Sequence, residues 1–241
     1  MKTTLQEKAY NWIIQKIYSG ELKAGDPLRV EAFASQIGIS MTPVREALAR
    51  LEKEGITENI PYCGCKIRKL SSAEKEELFL FRGCIEAACV EKAIERCGEN
   101  SFRELDKIVD EMEFLLKNTS MDDKNISSIM IKNDMDFHNK IIEISGCSIV
   151  AGFARSYNIL AHSVLISLEL ERFRGKCLEV TEHVISQHRA IITAMRLGWK
   201  RAAAELAREH VAHRRESFED KRTSEDEKND KRKRRKCIEA S

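Results

Sequence analysis

The first seventy residues alternate short apolar patterns with turn signals. Leu5, Ala9, Trp12, Ile13 and Ile17 recur at helical spacing, and Ser19-Gly20 ends that run. "GELKAGDPL" carries two glycines and a proline and reads as a link. A second short helix is expected over Val30–Ile37, closed by Gly38. A third lies inside "GISMTPVREALARLEKEG", residues 38–55. There Val44, Ala47, Leu48 and Leu51 form the apolar side and Gly55 the stop. Residues 56–60 and 65–67 are β-capable runs flanking 61–64, which predicts a small hairpin. Three helices and a hairpin in that order make a winged helix-turn-helix over residues 1–70.

Beyond Ser71 the helical period takes over. A cap at Ser71 or Ser72 opens a helix running to about residue 97, with Leu78, Phe81, Cys84, Ile85, Ala88, Cys89 and Ala93 on one side. Further helices are expected over 102–117, 126–145, 149–170, 177–197 and 200–218, separated by "GENS", a polar link at 118–125, and Gly146. Six helices with short links predict a bundle over residues 71–218. The expected fold is mainly α: an N-terminal winged helix-turn-helix plus a C-terminal all-helical bundle. Residues 219–241 are nearly devoid of apolar side chains and read as a charged, disordered tail. Its "KRKRRK" run fits contact with nucleic acid or a merely solvated segment.

Composition narrows this picture little. Three prolines in 241 residues favour helix. A net charge of +2 leaves any nucleic-acid role to local patches. There is no run of roughly 18 apolar residues, so no membrane span is expected. The N-terminus has no signal-type segment, and a cytoplasmic location is expected. Eight cysteines without a CxxC pair suit reduced, packing thiols. Cys63 and Cys65 leave a redox role open.

Two constellations carry chemistry. A helix-turn-helix pushes the head of its second helix into the major groove. Gly38 permits the turn, Ser40 or Thr42 caps the helix, and Pro43 fits its first turn. Arg45, one turn in and opposite Leu48 and Leu51, has the reach for a bidentate contact with guanine. Ser40 and Thr42 suit phosphate or thymine-methyl contacts. Gly64 at the hairpin tip allows close approach to the minor groove, and Lys66, Arg68 and Lys69 suit phosphates. An ordinary helical hairpin with a basic edge fits the same spacing.

In the bundle, Asp134 and His138 of "NDMDFHNKIIEISG" are four apart, on one helical face. His188 and His210 sit on the final two helices, which an up-down bundle can bring together. Three nitrogens and one oxygen suit zinc, nickel, manganese or iron. Unrelated helix histidines fit the same spacing. His162, His183 and His213 lie off this pattern and are expected at the surface or behind the ligands.

"SGELKAGDPL…FASQIGISMTPVREALARLEKEGI…CGCKI" resembles the N-terminal domain of the GntR family of bacterial transcription regulators, over residues 5–69. The resemblance implies base contact by Arg45, backbone contact by Ser40 and Thr42, and minor-groove entry by Gly64. Met41, Arg50 and Lys66 join the expected DNA-binding set. Met41 stands where the family usually has Arg, and Cys63 where the wing usually has Arg. Both changes remove positive charge, which implies an atypical operator or weaker binding.

The "NDMDFHNKIIEISG" and "SQHRAIITAMRLGWKRAAAELAREH" segments resemble the FCD branch of that family. That resemblance implies a divalent metal, zinc first, on Asp134, His138, His188 and His210. "LFRGCIEAACVEKA" resembles the first effector helix, in which Arg82 pairs with the carboxylate of a small effector; an ion pair with Glu86 is the alternative. Cys147 replaces a common Asn. The implied protein is a homodimeric repressor-type regulator of an operator in double-stranded DNA, with no membrane partner. Alternatives are a helical domain that only dimerises, or a metal-dependent hydrolase with Asp136 or Glu143 as base.

Overall fold

A computed structural model describes residues 3–60, 64–118, 123–172 and 177–216 of the chain. The expectations for Cys63 and for the 219–241 tail lie outside these residues, as do Pro61 and residues 119–122 of the polar link. Helix α1 (Leu5–Tyr18) opens on a capping box in which the Thr4 hydroxyl accepts from the Glu7 amide. Helix α2 (Val30–Ile37) ends at Gly38, whose φ of 74° is the left-handed geometry the turn requires. Helix α3 (Met41–Lys53) follows within three residues. Strands β1 (Thr57–Ile60) and β2 (Gly64–Ile67) pair antiparallel, with Thr57 opposite Ile67 and Ile60 opposite Gly64.

One apolar core unites these elements: Ile13 and Ile17 from α1, Phe33 and Ile37 from α2, Val44, Leu48 and Leu51 from α3, and Ile67 from β2. Each such side chain contributes roughly 1.5–3 kcal/mol when fully buried. The same core includes Ile159, which comes from the bundle.

The bundle comprises α4 (Ser72–Ile94), α5 (Glu99–Asn118), α6 (Asp123–Ser145), α7 (Ser148–Arg172), α8 (Cys177–Arg196) and α9 (Lys200–Glu216). Helix α4 lies centrally, packed on α6, α7 and α9. Its N-terminus is a second capping box, Ser71 with Glu74, which settles the cap on Ser71. Helix α5 starts three residues before the expected position because the break falls at residues 95–98 rather than across "GENS". The α6–α7 corner is tied by Arg96, whose Nη1 donates to the Ser145 carbonyl at 2.7 Å beside Gly146. Arg189 and Arg196 of α8 are clasped by Asp106 of α5.

The inner face of α4 departs from the sequence expectation. Its buried side carries Phe79, Arg82, Gly83, Glu86, Ala87, Cys89, Val90 and Ala93. Phe81, Cys84 and Ala88, expected inside, are exposed, as is Leu80. The physical reason is pairing: Arg82 and Glu86 neutralise one another inside the bundle, so the buried face is not the most apolar one. No helix among the described residues is long and apolar enough to cross a membrane.

Candidate functional site

At the head of α3, Ser40 is the N-cap, with an extended backbone and no side-chain capping bond. This decides between Ser40 and Thr42. The hydroxyl and the first amides of α3 therefore face outward, as an anion site needs. Pro43, Val44, Ala47 and Leu48 point into the core, which leaves Met41, Thr42 and Arg45 exposed along one edge. The Arg45 guanidinium reaches back to the Met41 sulfur at 4.0 Å. Gly64 is exposed with φ of 79°, and open space surrounds its Cα. Lys66 lies half-buried, 3.6 Å from Glu58 across the hairpin.

Arg50 is placed differently from the expectation. Its Nε donates to Glu54 at 2.9 Å, and its guanidinium lies 4.0 Å over the Tyr10 ring. It is about 140° around α3 from Arg45. The guanidinium braces α3 on α1 and does not join the exposed edge. Arg68 is likewise engaged, by Glu74 at 2.5 Å.

In the bundle, α6 brings Asp134 and His138 to one face, α8 brings His188 and α9 brings His210. Gly198, with φ of 71°, turns α8 into α9 and lies ten residues after His188 and twelve before His210, so the two rings sit level. All four side chains are buried, and each offers a donor atom within 4.8 Å of the others. The Nε2 atoms of His188 and His210 lie 3.2 Å from Asp134 Oδ1, and that of His138 lies 3.8 Å away.

Outer contacts fix these orientations. Glu86 Oε2 is 2.7 Å from His138 Nδ1, while Glu86 Oε1 accepts from Arg82 Nε at 2.8 Å. Gln187 Oε1 is 2.8 Å from His210 Nδ1. Phe137 stacks on His188 with ring centroids 4.0 Å apart. In His138 and His210 Nδ1 is engaged from behind and Nε2 is turned inward, as metal-binding histidines are commonly held.

The donor set fits a divalent cation. Nε2 of His138 is buried without a hydrogen-bond partner among the described residues. An ion bonded at about 2.1 Å sets its donors roughly 3–3.5 Å apart, close to the separations seen. Burial holds His210 neutral, with its pKa lowered to about 3, although Asp134 opposes that shift. A neutral imidazole is the form that binds metal. Burial alone raises the Glu86 carboxyl, but the Arg82 and His138 charges and hydrogen bonds outweigh it and hold it near 2. Glu86 thus stays anionic and supports His138 as a donor.

Arg82 is fully buried, and its Nε is committed to Glu86. The sequence offered Glu86 only as a rival partner for Arg82, and Gln187 went unnoticed. The signal for Glu86 was its place one turn after Arg82 and on the same side as Val90. Of the two places expected for His162, at the surface or behind the ligands, its full burial excludes the first; His183 is exposed and the side chain of His213 lies outside the described residues. Asp136 and Glu143 are on the outside, paired with Lys132 and Lys140, and stand apart from the buried cluster.

Comparison with known proteins agrees with this geometry. The FCD domain model matches residues 77–213, and that of bacterial regulatory proteins of the gntR family matches residues 5–67. The HTH-type transcriptional regulator YdhC of Bacillus subtilis is 25% identical over 204 residues, 85% of this chain and 86% of its own. The HTH-type transcriptional repressor GlaR of Escherichia coli is 25% identical over 209 residues, 84% of this chain and 90% of its own. The fold matches E. coli McbR/YncC with a TM-score of 0.78 at 20% identity, over 90% of this chain and 98% of that one. The helix-turn-helix and the helical bundle are therefore the two parts of a DNA-binding transcription regulator rather than an enzyme. The chain belongs to the gntR family of bacterial regulatory proteins, in the group that carries an FCD domain.

Proposed function

We propose that this regulator binds its operator under the control of a small carboxylate held at a divalent metal ion in the bundle. The observation that carries the reading is the buried convergence of Asp134, His138, His188 and His210. These four would hold the ion, zinc in the first instance, leaving positions open for an acid. The ion's chemistry there is that of an electrophilic anchor for a carboxylate. Arg82 spends Nε on Glu86, and its remaining Nη atoms are the natural partner for the acid's second oxygen.

On the DNA side, Arg45 reads a base, Ser40 and Thr42 hold the backbone, Met41 lines the same edge, and Gly64 with Lys66 approaches from the wing. Relatives such as GlaR are named repressors, and repression in the cytoplasm is the mode proposed here. The protein acts as a homodimer. Leu80 and Phe81 of α4, exposed beside Cys84 and Ala88, and Ile149 and Phe153 of α7, 77% and 67% exposed, supply an apolar surface for a second copy. The residues then divide into a reading unit over 1–70 and a sensing and pairing unit over 71–218.

Elemental analysis of the purified protein tests the centre. The expected result is about one divalent ion per chain, lost on His188→Ala. Wild-type metal content in that variant, or no metal and no thermal shift with any carboxylate, would leave the bundle with dimerisation alone.

A further inference from the structure

We infer that His162 couples the metal centre to the reading head. This rests on the metal-centre reading above and adds the route by which occupation is reported to α1. His162 lies on α7 and is fully buried, and neither ring nitrogen has a hydrogen-bond partner among the described residues. An imidazole so placed carries a donor and an acceptor with no protein group to take them, a costly arrangement that calls for a polar ligand.

The neighbours of His162 belong to the metal-bearing helices. Ala161 and Leu165 share a core with Ile131 and Met135 of α6 and Val211 of α9. Met135 is adjacent to Asp134 and Val211 to His210, so this turn of α7 lies against two of the helices that supply metal ligands. The charge of Asp134 is felt at His162, although burial dominates its protonation. The fitting molecule is a small oxygen ligand at the ion: water when zinc is bound alone, or the acid assigned above.

The other side of the ring faces the head. His162 meets Tyr18 edge to face, with centroids 4.6 Å apart and planes at 90°. Tyr18 is the last residue of α1. Three residues before His162, Ile159 is buried in the core of the head. One turn of α7 therefore touches the core of the reading unit through Ile159, the end of α1 through His162, and the metal-bearing helices through Ala161. A ring drawn toward the centre on occupation alters its packing on Tyr18 and with it the end of α1.

Hydrogen exchange on the full chain, stripped of metal and then given zinc, tests this. The amides of Ser19, Gly20 and Leu22 bond to carbonyls of Gln15, Ile17 and Lys16 and report opening of the α1 terminus. Zinc is expected to change their exchange by about fivefold or more. In His162→Leu that response is lost, while zinc content and the protection of α6, α8 and α9 remain. His162→Gln, which keeps a donor and an acceptor, restores it. If His162→Leu does not fold, His162→Phe takes its place with the same expectation.

An unchanged α1 response in the apolar variant overturns the coupling. So does loss of zinc from it, which would make His162 a ligand. So does a wild-type protein whose α6, α8 and α9 respond to zinc while α1 does not. If zinc protects none of those helices in the wild type, the metal centre itself is refuted, a different failure.

Discussion

The reading head and the bundle use polar side chains in opposite ways. The head buries apolar residues and leaves Ser40, Thr42 and Arg45 in solvent, where little within the protein holds them. The bundle takes Arg82, Glu86, Asp134, His138, His188 and His210 out of water altogether. A surface that must meet phosphate loses nothing by staying hydrated until contact. A pocket that must grip an ion gains strength from a low dielectric but carries the cost of desolvation while it waits. The lesson is that one half of the molecule is stable without its ligand, whereas the stability of the other is tied to it.

The largest break in that contrast is expected from Glu86→Leu. It strands the buried Arg82 charge and unties His138. The expected loss is about 3–5 kcal/mol, read by urea unfolding. Arg45→Ala is the counterpart in the head and should leave stability unchanged. Next comes metal removal. If free zinc stands at 100 times its dissociation constant, chelation costs the fold about 2.7 kcal/mol. Calorimetry with and without chelator would show it as a lower transition temperature.

Arg45→Ala should weaken specific operator binding by roughly 1–3 kcal/mol, measured by titration against cognate and scrambled duplexes. Equal affinity would remove Arg45 from the contact set. The smallest effect per step is that of pH on the metal-free chain. Burial lowers His162 and His210 to about 3, below their unfolded value of 6.5. As pH falls below 6.5 the unfolded chain takes up protons that the folded one refuses. Stability should therefore be fully present above 6.5 and decline toward 3, by at most ~1.4 kcal/mol per pH unit for each histidine. A flat profile between pH 7 and 5 would show that these rings take up protons in the fold as readily as in the unfolded chain.

The same contrast explains what could be read from the chain. The head was legible because its rules are local. Gly38 marks a left-handed turn, Pro43 a first helical turn, and Val44, Leu48 and Leu51 a core side. The four clustered side chains were also legible, two from their spacing on α6 and two from family resemblance.

Helix α4 was not, because periodicity equates apolar with inside. Arg82 and Glu86 are inside by virtue of each other and of His138, a contact between α4 and α6 that no local pattern encodes. The apolar positions Phe81, Cys84 and Ala88 were consequently assigned to the core although they face outward. Gln187 and the contact of His162 with Tyr18 escaped for the same reason, since they depend on His210 on α9 and on the end of α1. Arg50 shows the converse. It reads as a DNA-facing cation until Tyr10 and Glu54 claim it.

Ile159 has a bearing on the order in which the parts mature. It completes the core of the head from a position deep in α7, and His210 supplies the last donor from α9. During synthesis the emerging N-terminal segment therefore waits for some ninety further residues to fill its hydrophobic interior. The ion's cage closes only some fifty residues later still. For that interval the ribosome carries a nascent regulator able to fold its DNA-facing part but not yet to be governed.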